Sequence, residues 1–327
     1  MAIRTIHVGA WNRARTHLGV MTKSDVFEPV ALVDVNDDFL ARGRELSGLT
    51  ENSSYASLPE ALDSHDCDAV VVVTPVMLHA RFIDEALAAG KHVMVEKPFT
   101  TNLADAEHAV AKAEAAGLQL LVTQNDRLNP TYRTIRRHLE QETYGPPGYA
   151  VMIHDKPRMA PYHNSPHMHL WQQGVHQLDT LLGTIPRTPV RVRGLSTEPP
   201  WGNWPTPSLV HSIIEFSDGF SATYVGTSQA RHQEFQFTVE CAEAAIASSG
   251  YGSEASLTLK RGEEIETIAI DNPPDGLTPE EQIAEMFAEQ IQEGSTTELS
   301  GRANLATIRV VDAIVRSTES GSAITLA

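Results

Sequence analysis

The sequence predicts a doubly wound parallel α/β domain over residues 1–123, followed over residues 124–327 by an α+β domain with a large open antiparallel sheet. Three observations carry this. Short β-branched runs alternate with helical stretches through the first third of the chain, the pattern of a parallel sheet covered on both faces. The segment Lys91–Pro98, KHVMVEKP, ends one of those strands on a charged pair fixed by a proline. Beyond Gly145-Pro146-Pro147-Gly148 the character changes to longer alternating segments joined by turns, which suits antiparallel strands.

In order, the expected strands of the first domain are Thr5–Val8, Val30–Val33, Ala69–Val73, His92–Val95 and Leu118–Val122. Between the later ones run helical stretches Ala80–Ala89 and Leu103–Ala116, with Gly90 and Gly117 placed to end them. Asn129-Pro130 then opens a helix carrying Arg133, Arg136 and Arg137. The second domain is expected to hold strands Tyr149–His154, Val190–Leu195, Val210–Phe216, Phe220–Thr227, Phe235–Cys241 and Ala255–Lys260. Helices Trp171–Leu182, Pro279–Gln292 and Ala303–Ser317 accompany them, with a short final strand Ala323–Leu326. A broad open sheet of this kind suits a subunit interface, so a homodimer or homotetramer through that sheet is expected.

Composition narrows the function. At 327 residues and 41% hydrophobic, the chain can bury two cores. No apolar run is long enough for a bilayer, and the N-terminus enters a strand pattern directly, without a signal-peptide stretch. Cys67 and Cys241 read as reduced structural thiols, so a cytoplasmic protein is expected. A formal net charge of −17 leaves no basic excess to displace counterions from nucleic acid. Neither nucleic acid nor membrane is expected as a partner.

The first strand ends in His7-Val8-Gly9-Ala10-Trp11-Asn12-Arg13-Ala14, where a dinucleotide's pyrophosphate would sit on a helix N-terminus. Of the G-x-G-x-x-G/A fingerprint, Gly9 and Ala14 fill the first and third places, and Trp11 takes the second. The indole must point away from the phosphates, or the cofactor must ride higher on the helix. Asn12 and Arg13 offer compensating donors. Asp34 follows the second strand, placed to accept from a ribose 2′-hydroxyl and to repel a 2′-phosphate. NAD is therefore expected over NADP, in a site formed by Gly9, Ala10, Trp11, Asn12, Arg13, Asp34 and the Thr74-Pro75 loop.

Four segments carry a wider resemblance: AGKHVMVEKP (Ala89–Pro98), TPVMLH (Thr74–His79), NPTYR (Asn129–Arg133) and GVHQLDTLLG (Gly174–Gly183). Over nearly its whole length the chain resembles the glucose–fructose oxidoreductase / inositol dehydrogenase / rhizopine-catabolism (Gfo/Idh/MocA) family. The resemblance implies a Rossmann domain joined to an open-sheet domain, and nicotinamide-dependent redox chemistry on sugars, polyols or related carbinols. By position, Lys97 is similar to the family's catalytic lysine and His176 to its acid/base histidine. Glu96 and Pro98 would shape the loop beside the nicotinamide, and Thr74 and His79 would line the adenosine and nicotinamide-ribose side. The family commonly has an aspartate four residues before the histidine; this chain has Gln172.

Oxidising a carbinol requires a base for the hydroxyl proton while hydride leaves, and histidine suits that near neutral pH. The Lys97 ammonium would stabilise a developing alkoxide. Gln172 can hydrogen-bond to ring or substrate but brings no negative charge, which implies a slower proton step or a base role shared with Lys97. Candidate substrate contacts are Lys97, Asn125, His154, Lys156, Tyr162, His163, His169, Gln172 and His176, with Asp155 and Arg158 in the same region. Trp201 and Trp204 could stack on a sugar face. The crowd of His154, His163, His167, His169 and His176 fits no standard zinc spacing, and no metal is assigned. Two alternatives stay open: transient oxidation serving elimination or glycosidic cleavage with the cofactor regenerated, and a non-catalytic ligand or cofactor sensor on the same fold.

Overall fold

The computed structural model describes residues 2–158, 166–251 and 254–326. They form two compact units, one of residues 1–125 and 277–305, the other of 126–276 and 306–327.

The first unit runs β1 (Ile3–Val8), α1 (Arg13–Lys23), β2 (Phe27–Val33), α2 (Asp37–Ser47), β3 (Ser54–Tyr55), α3 (Leu58–Ser64), β4 (Ala69–Val72), α4 (His79–Ala88), β5 (His92–Glu96), α5 (Leu103–Ala115) and β6 (Leu120–Thr123). All its strand pairs are parallel, in the order β3-β2-β1-β4-β5-β6. Every residue of β4 is buried, as a strand covered on both faces requires. The Asn36 and Asn102 side chains cap α2 and α5 by accepting from Phe39 and Asp105 N–H. Gly90 and Gly117 follow α4 and α5 with φ of 72° and 66°, as their positions predict. The short β3 was not expected; two residues leave no periodicity to read.

The second unit contains α6 (Pro130–Glu140), β7 (Pro147–Asp155), α7 (Val175–Thr184), β8 (Pro189–Thr197), β9 (Leu209–Phe216), β10 (Ser221–Thr227), β11 (Glu234–Cys241), β12 (Ala245–Ser249), β13 (Ser256–Arg261) and β14 (Glu264–Thr267). With β15 (Ile324–Thr325) these strands make one nine-stranded sheet, ordered β14-β13-β12-β11-β7-β10-β9-β8-β15. The sheet is mixed rather than purely antiparallel, because β7 and β10 pair in parallel from Tyr149–Ser221 to Asp155–Thr227. Sequence order hides this: β7 is separated from β10 by α7 and a hairpin, which gives the chain room for a crossover. Burial alternates along β7, β9 and β10, so one face of the sheet is covered and the other carries exposed Tyr149, Leu195 and Ile213.

A single cut at residue 123 does not describe the two units. Helix α8 (Pro279–Glu293) packs against α1, burying Ile283 and Phe287, and the Phe287 ring stacks 6.4 Å from that of Phe27. Arg13 donates to Glu280 across the same contact at 2.9 Å. The last helix, α9 (Gly301–Ser320), begins in the first unit and continues in the second. No described helix is long and apolar enough to cross a membrane.

Candidate active site

The strand order of the first unit reverses between β1 and β4, which places the β1–α1 turn at the switch point where open α/β sheets bind ligands. Gly9 has φ +97°, and a Cβ there would stand 2.1 Å from the Val73 carbonyl oxygen, so only glycine fits. The Asn12 side chain makes no cap hydrogen bond to α1. The first-turn N–H groups of Ala14 and Arg15 instead reach the Trp11 and Asn12 carbonyls at 3.1 and 3.0 Å, and Arg13 stands at the first helical position. Asp34 lies at the end of β2 with Oδ2 accepting from the Ala10 N–H at 2.9 Å and Oδ1 from the Asn36 N–H at 3.0 Å. Its carboxylate is therefore fixed beside the β1–α1 turn before any ligand arrives.

The Trp11 side chain is engaged with α2. The indole stacks on Phe39 of α2, centroids 4.7 Å apart and planes 18° from parallel, with the Arg42 guanidinium 5.2 Å from its centroid. It is turned to the α2 side and lies 47% exposed. Gly9, Ala10, Asn12, Arg13 and Asp34 thus gather at the β1–α1 turn, with Arg13 donating to Glu280.

At the carboxyl ends of β4 and β5, His79 is buried with Nδ1 2.8 Å from the Pro98 oxygen and Nε2 2.9 Å from the Thr74 oxygen. It braces the Thr74-Pro75 loop to the Lys97-Pro98 loop from within rather than presenting its ring to a ligand. Burial lowers its pKa, and the two carbonyl contacts offset this only in part. Glu96 is also turned inward: Oε2 meets His17 Nε2 at 3.1 Å and accepts from Thr123 Oγ1 at 2.6 Å. Burial pushes its pKa up, but His17, Lys97 and Arg13 outweigh that and hold it at about 2. Half-buried Lys97 follows Glu96 and is joined to Pro98 by a cis peptide bond.

In the second unit, His176 is buried on α7, its Nδ1 3.9 Å from Asp126 Oδ2. Asp126 Oδ1 accepts from the Tyr251 hydroxyl at 2.8 Å. Next in sequence, Arg127 grips Asp179 of α7 with Nε and Nη2 at 2.8 and 2.7 Å, and Thr307 donates to the same carboxylate at 2.7 Å. A small pocket beside Asp126 is walled by Tyr132, His154, Gln177, Phe235 and Tyr251. Burial pushes the Tyr132 phenol well up, so it stays protonated.

Gln172 lies in an irregular turn just before α7. Leu170–Gly174 forms a π-helical turn, with the Val175 N–H reaching back to the Leu170 carbonyl. The Gln172 side chain is half-buried.

Among the remaining candidates, His169 is buried with Nδ1 2.7 Å from Ser228 Oγ, and His154 packs on Phe235 with ring centroids 4.3 Å apart. Burial drives both pKa values to about 3, with His169 and Lys156 adding to the effect on His154 and Arg158 to that on His169. Lys156 Nζ stands 5.9 Å from the Phe235 ring, and Asn125 is half-buried in the turn after β6. Tyr162 and His163 lie outside the described residues. Trp204 is buried, whereas Trp201 is exposed with Arg231 over its ring. Among the described residues, Asp155, His232 and Glu234 form a metal-like grouping, ligand atoms within 4.8 Å of one another.

Comparison with known proteins follows this geometry. The GFO_IDH_MocA family, described as "Oxidoreductase family, NAD-binding Rossmann fold", matches residues 3–124, the sheet and β1–α1 turn of the first unit. The first unit of the chain thus matches the Gfo/Idh/MocA family. Among curated relatives, an inositol 2-dehydrogenase of Rhodococcus erythropolis is 37% identical over 126 residues, covering 38% of this chain and 36% of that protein. A dTDP-3,4-didehydro-2,6-dideoxy-alpha-D-glucose 3-reductase of Actinomadura kijaniata is 35% identical over 136 residues, 42% of this chain and 39% of the relative. These two relatives are thus matched over less than half of their length. A crystal structure of aldose-aldose oxidoreductase from Caulobacter crescentus superposes over 100% of both chains with a TM-score of 0.88 at 21% identity, so the likeness there is of fold.

Proposed function

We propose that the chain is an NAD-dependent dehydrogenase that transfers hydride between the nicotinamide and a sugar, inositol or related cyclic polyol. The observation that carries this reading is the Asp34 carboxylate, held by the Ala10 N–H beside the uncapped start of α1. A fixed carboxylate there accepts from both ribose hydroxyls of NAD and repels the 2′-phosphate of NADP. The NAD-binding description of the matched family supports it, as do the names of the inositol and sugar-nucleotide relatives.

When bound, the nicotinamide supplies the hydride acceptor. The residues of the chain do the rest. His176 takes the carbinol proton at an imidazole nitrogen, and Lys97 stabilises the oxygen as it becomes anionic. Glu96, locked by His17 and Thr123, and His79, bridging Thr74 and Pro98, hold the loop that carries Lys97. Asn125, His154, Lys156 and His169 serve the substrate's hydroxyls, and we place Gln172 with them rather than in the proton relay. The exposed face of the nine-stranded sheet, with Tyr149, Leu195 and Ile213, is proposed to pair copies of the chain.

The test is a panel of aldoses, inositols and their lactones followed by reduced-nicotinamide fluorescence. At least one is expected to turn over with NAD, and Lys97→Ala is expected to lose turnover by about a hundredfold or more while keeping NAD binding. Turnover of a polyol by Lys97→Ala at the native rate would remove the lysine from the chemistry.

A further inference from the structure

The acid/base histidine of a dehydrogenase works best with a carboxylate behind it, which fixes the ring and stabilises its protonated form. The position expected to supply that charge holds Gln172, which is neutral and lies in the π-helical turn Leu170–Gly174. The structure brings a carboxylate to the same imidazole from a different element. Asp126 stands in the turn after β6, and its Oδ2 lies 3.9 Å from His176 Nδ1, with both side chains close to nine-tenths buried.

We propose that Asp126 is the carboxylate partner of His176, a positioning residue that takes over the charge missing at position 172; this rests on the dehydrogenase reading above. Two further contacts support the assignment. Tyr251 donates to Oδ1 at 2.8 Å, which holds the carboxylate so that Oδ2 is the atom offered to the ring. The adjacent Arg127 is committed to Asp179, three residues beyond His176 on α7, with Thr307 on the same carboxylate. Neighbouring residues of the turn therefore meet neighbouring turns of α7. A shift of Asp126 away from His176 would have to break the buried Arg127–Asp179 pair.

At 3.9 Å the contact is an ion pair rather than a hydrogen bond. A rotation of either side chain by less than an ångström or so would close it, the tightening that catalytic pairs undergo when substrate binds. The charge balance around the pocket favours the pair. Burial raises the pKa of the Tyr132 phenol and keeps it neutral, and His154 is kept neutral by burial, with its pKa at about 3. The Arg127 charge is matched by Asp179. Asp126 is thus the anionic neighbour that the structure pairs with the ring.

The sign follows directly. A carboxylate beside the ring favours imidazolium and raises its pKa, so removing the charge lowers it, by about one unit or more for an opposite charge within about 4–6 Å. The experiment is a nitrogen-15 NMR titration of the imidazoles of the full chain, with the His176 signal assigned by its loss in His176→Gln. In Asp126→Asn the His176 midpoint is expected to fall by about one unit or more, and in Asp126→Glu to stay near the native value. Tyr251→Phe, which loosens the carboxylate without removing it, is expected to give a smaller fall and serves if Asp126→Asn does not fold. An unchanged His176 midpoint in Asp126→Asn, or in Tyr251→Phe should that be the variant that folds, overturns the proposal. The titration needs no substrate, so a chain that oxidises no polyol would sink the dehydrogenase reading and leave this result standing. With a substrate in hand, the acid limb of kcat/KM should move down with the NMR midpoint, whereas a merely structural loss would lower the rate at every pH alike.

Discussion

Glu96 Oε2 lies 3.1 Å from His17 Nε2 with both side chains buried, and the same oxygen accepts from Thr123. One carboxylate thus ties the end of β5 to α1 and to β6, immediately before Lys97. The EKP segment owes its glutamate to this internal knot, and the lysine owes its position to the glutamate.

Acid stability should report the knot. The Glu96 pKa is depressed to about 2, against an ordinary value near 4.5 in the unfolded chain. A depressed carboxylate contributes stability that is fully present above the unfolded value and is lost as pH falls toward the folded one. Urea midpoints are therefore expected to fall between about pH 4.5 and pH 2, and Glu96→Gln is expected to flatten that part of the curve. Equal slopes in the two proteins would show that Glu96 is not the group responsible. Glu96→Ala, which strands His17 and Thr123, should cost about 3 kcal/mol at neutral pH.

Trp11 stands on Phe39, so its loss should be felt by α2 more than by a ligand. Trp11→Ala is expected to lower stability by about 1 kcal/mol, the worth of a half-exposed aromatic pair. NAD affinity should stay within about threefold, because less than 1 kcal/mol of binding is at stake. Isothermal titration checks this, and a loss of thirtyfold or more would mean the indole contacts the cofactor.

The Arg127–Asp179 pair is buried and bidentate, and truncating one side leaves the other charged and unsolvated. Asp179→Ala is expected to cost about 3–5 kcal/mol by denaturant unfolding. A smaller loss in the double variant Arg127→Met/Asp179→Leu than in Asp179→Ala would confirm that the stranded charge, rather than lost packing, carries the effect.

The outward face of the nine-stranded sheet can be tested by charge. Ile213→Glu places a carboxylate among Tyr149, Leu195 and Ile213, and sedimentation velocity is expected to show a shift from oligomer to monomer. A native chain that is already monomeric at micromolar concentration would refute pairing through this face.

Much of the first unit was legible because its signals are local. Continuous apolar runs such as Ala69–Val72 can only be doubly covered strands, and Gly90 and Gly117 stop helices by adopting positive φ. The parallel β7–β10 pair was not legible, since register between distant strands leaves no mark in either one. Nor was the return of α8 to the first unit, which depends on Phe27 and Phe287 across most of the chain's length. At the site, Asp34 and the Gly9 turn could be read from spacing. Asp126 could not: it sits between Asn125 and Arg127 with no periodic pattern of its own, and its meaning depends on α7 and Tyr251. The π-helical turn that contains Gln172 left the helical periodicity of Trp171–Leu182 looking regular.

The claim on which the rest depends is an NAD site built on Asp34. Calorimetric titration of cofactor-stripped protein with NAD and then NADP tests it most directly. NAD is expected to bind more tightly than NADP, and Asp34→Ala to weaken NAD by about ten- to a hundredfold, the loss of one or two charge-assisted hydrogen bonds. Equal affinity for the two cofactors, or native NAD affinity in Asp34→Ala, would contradict it.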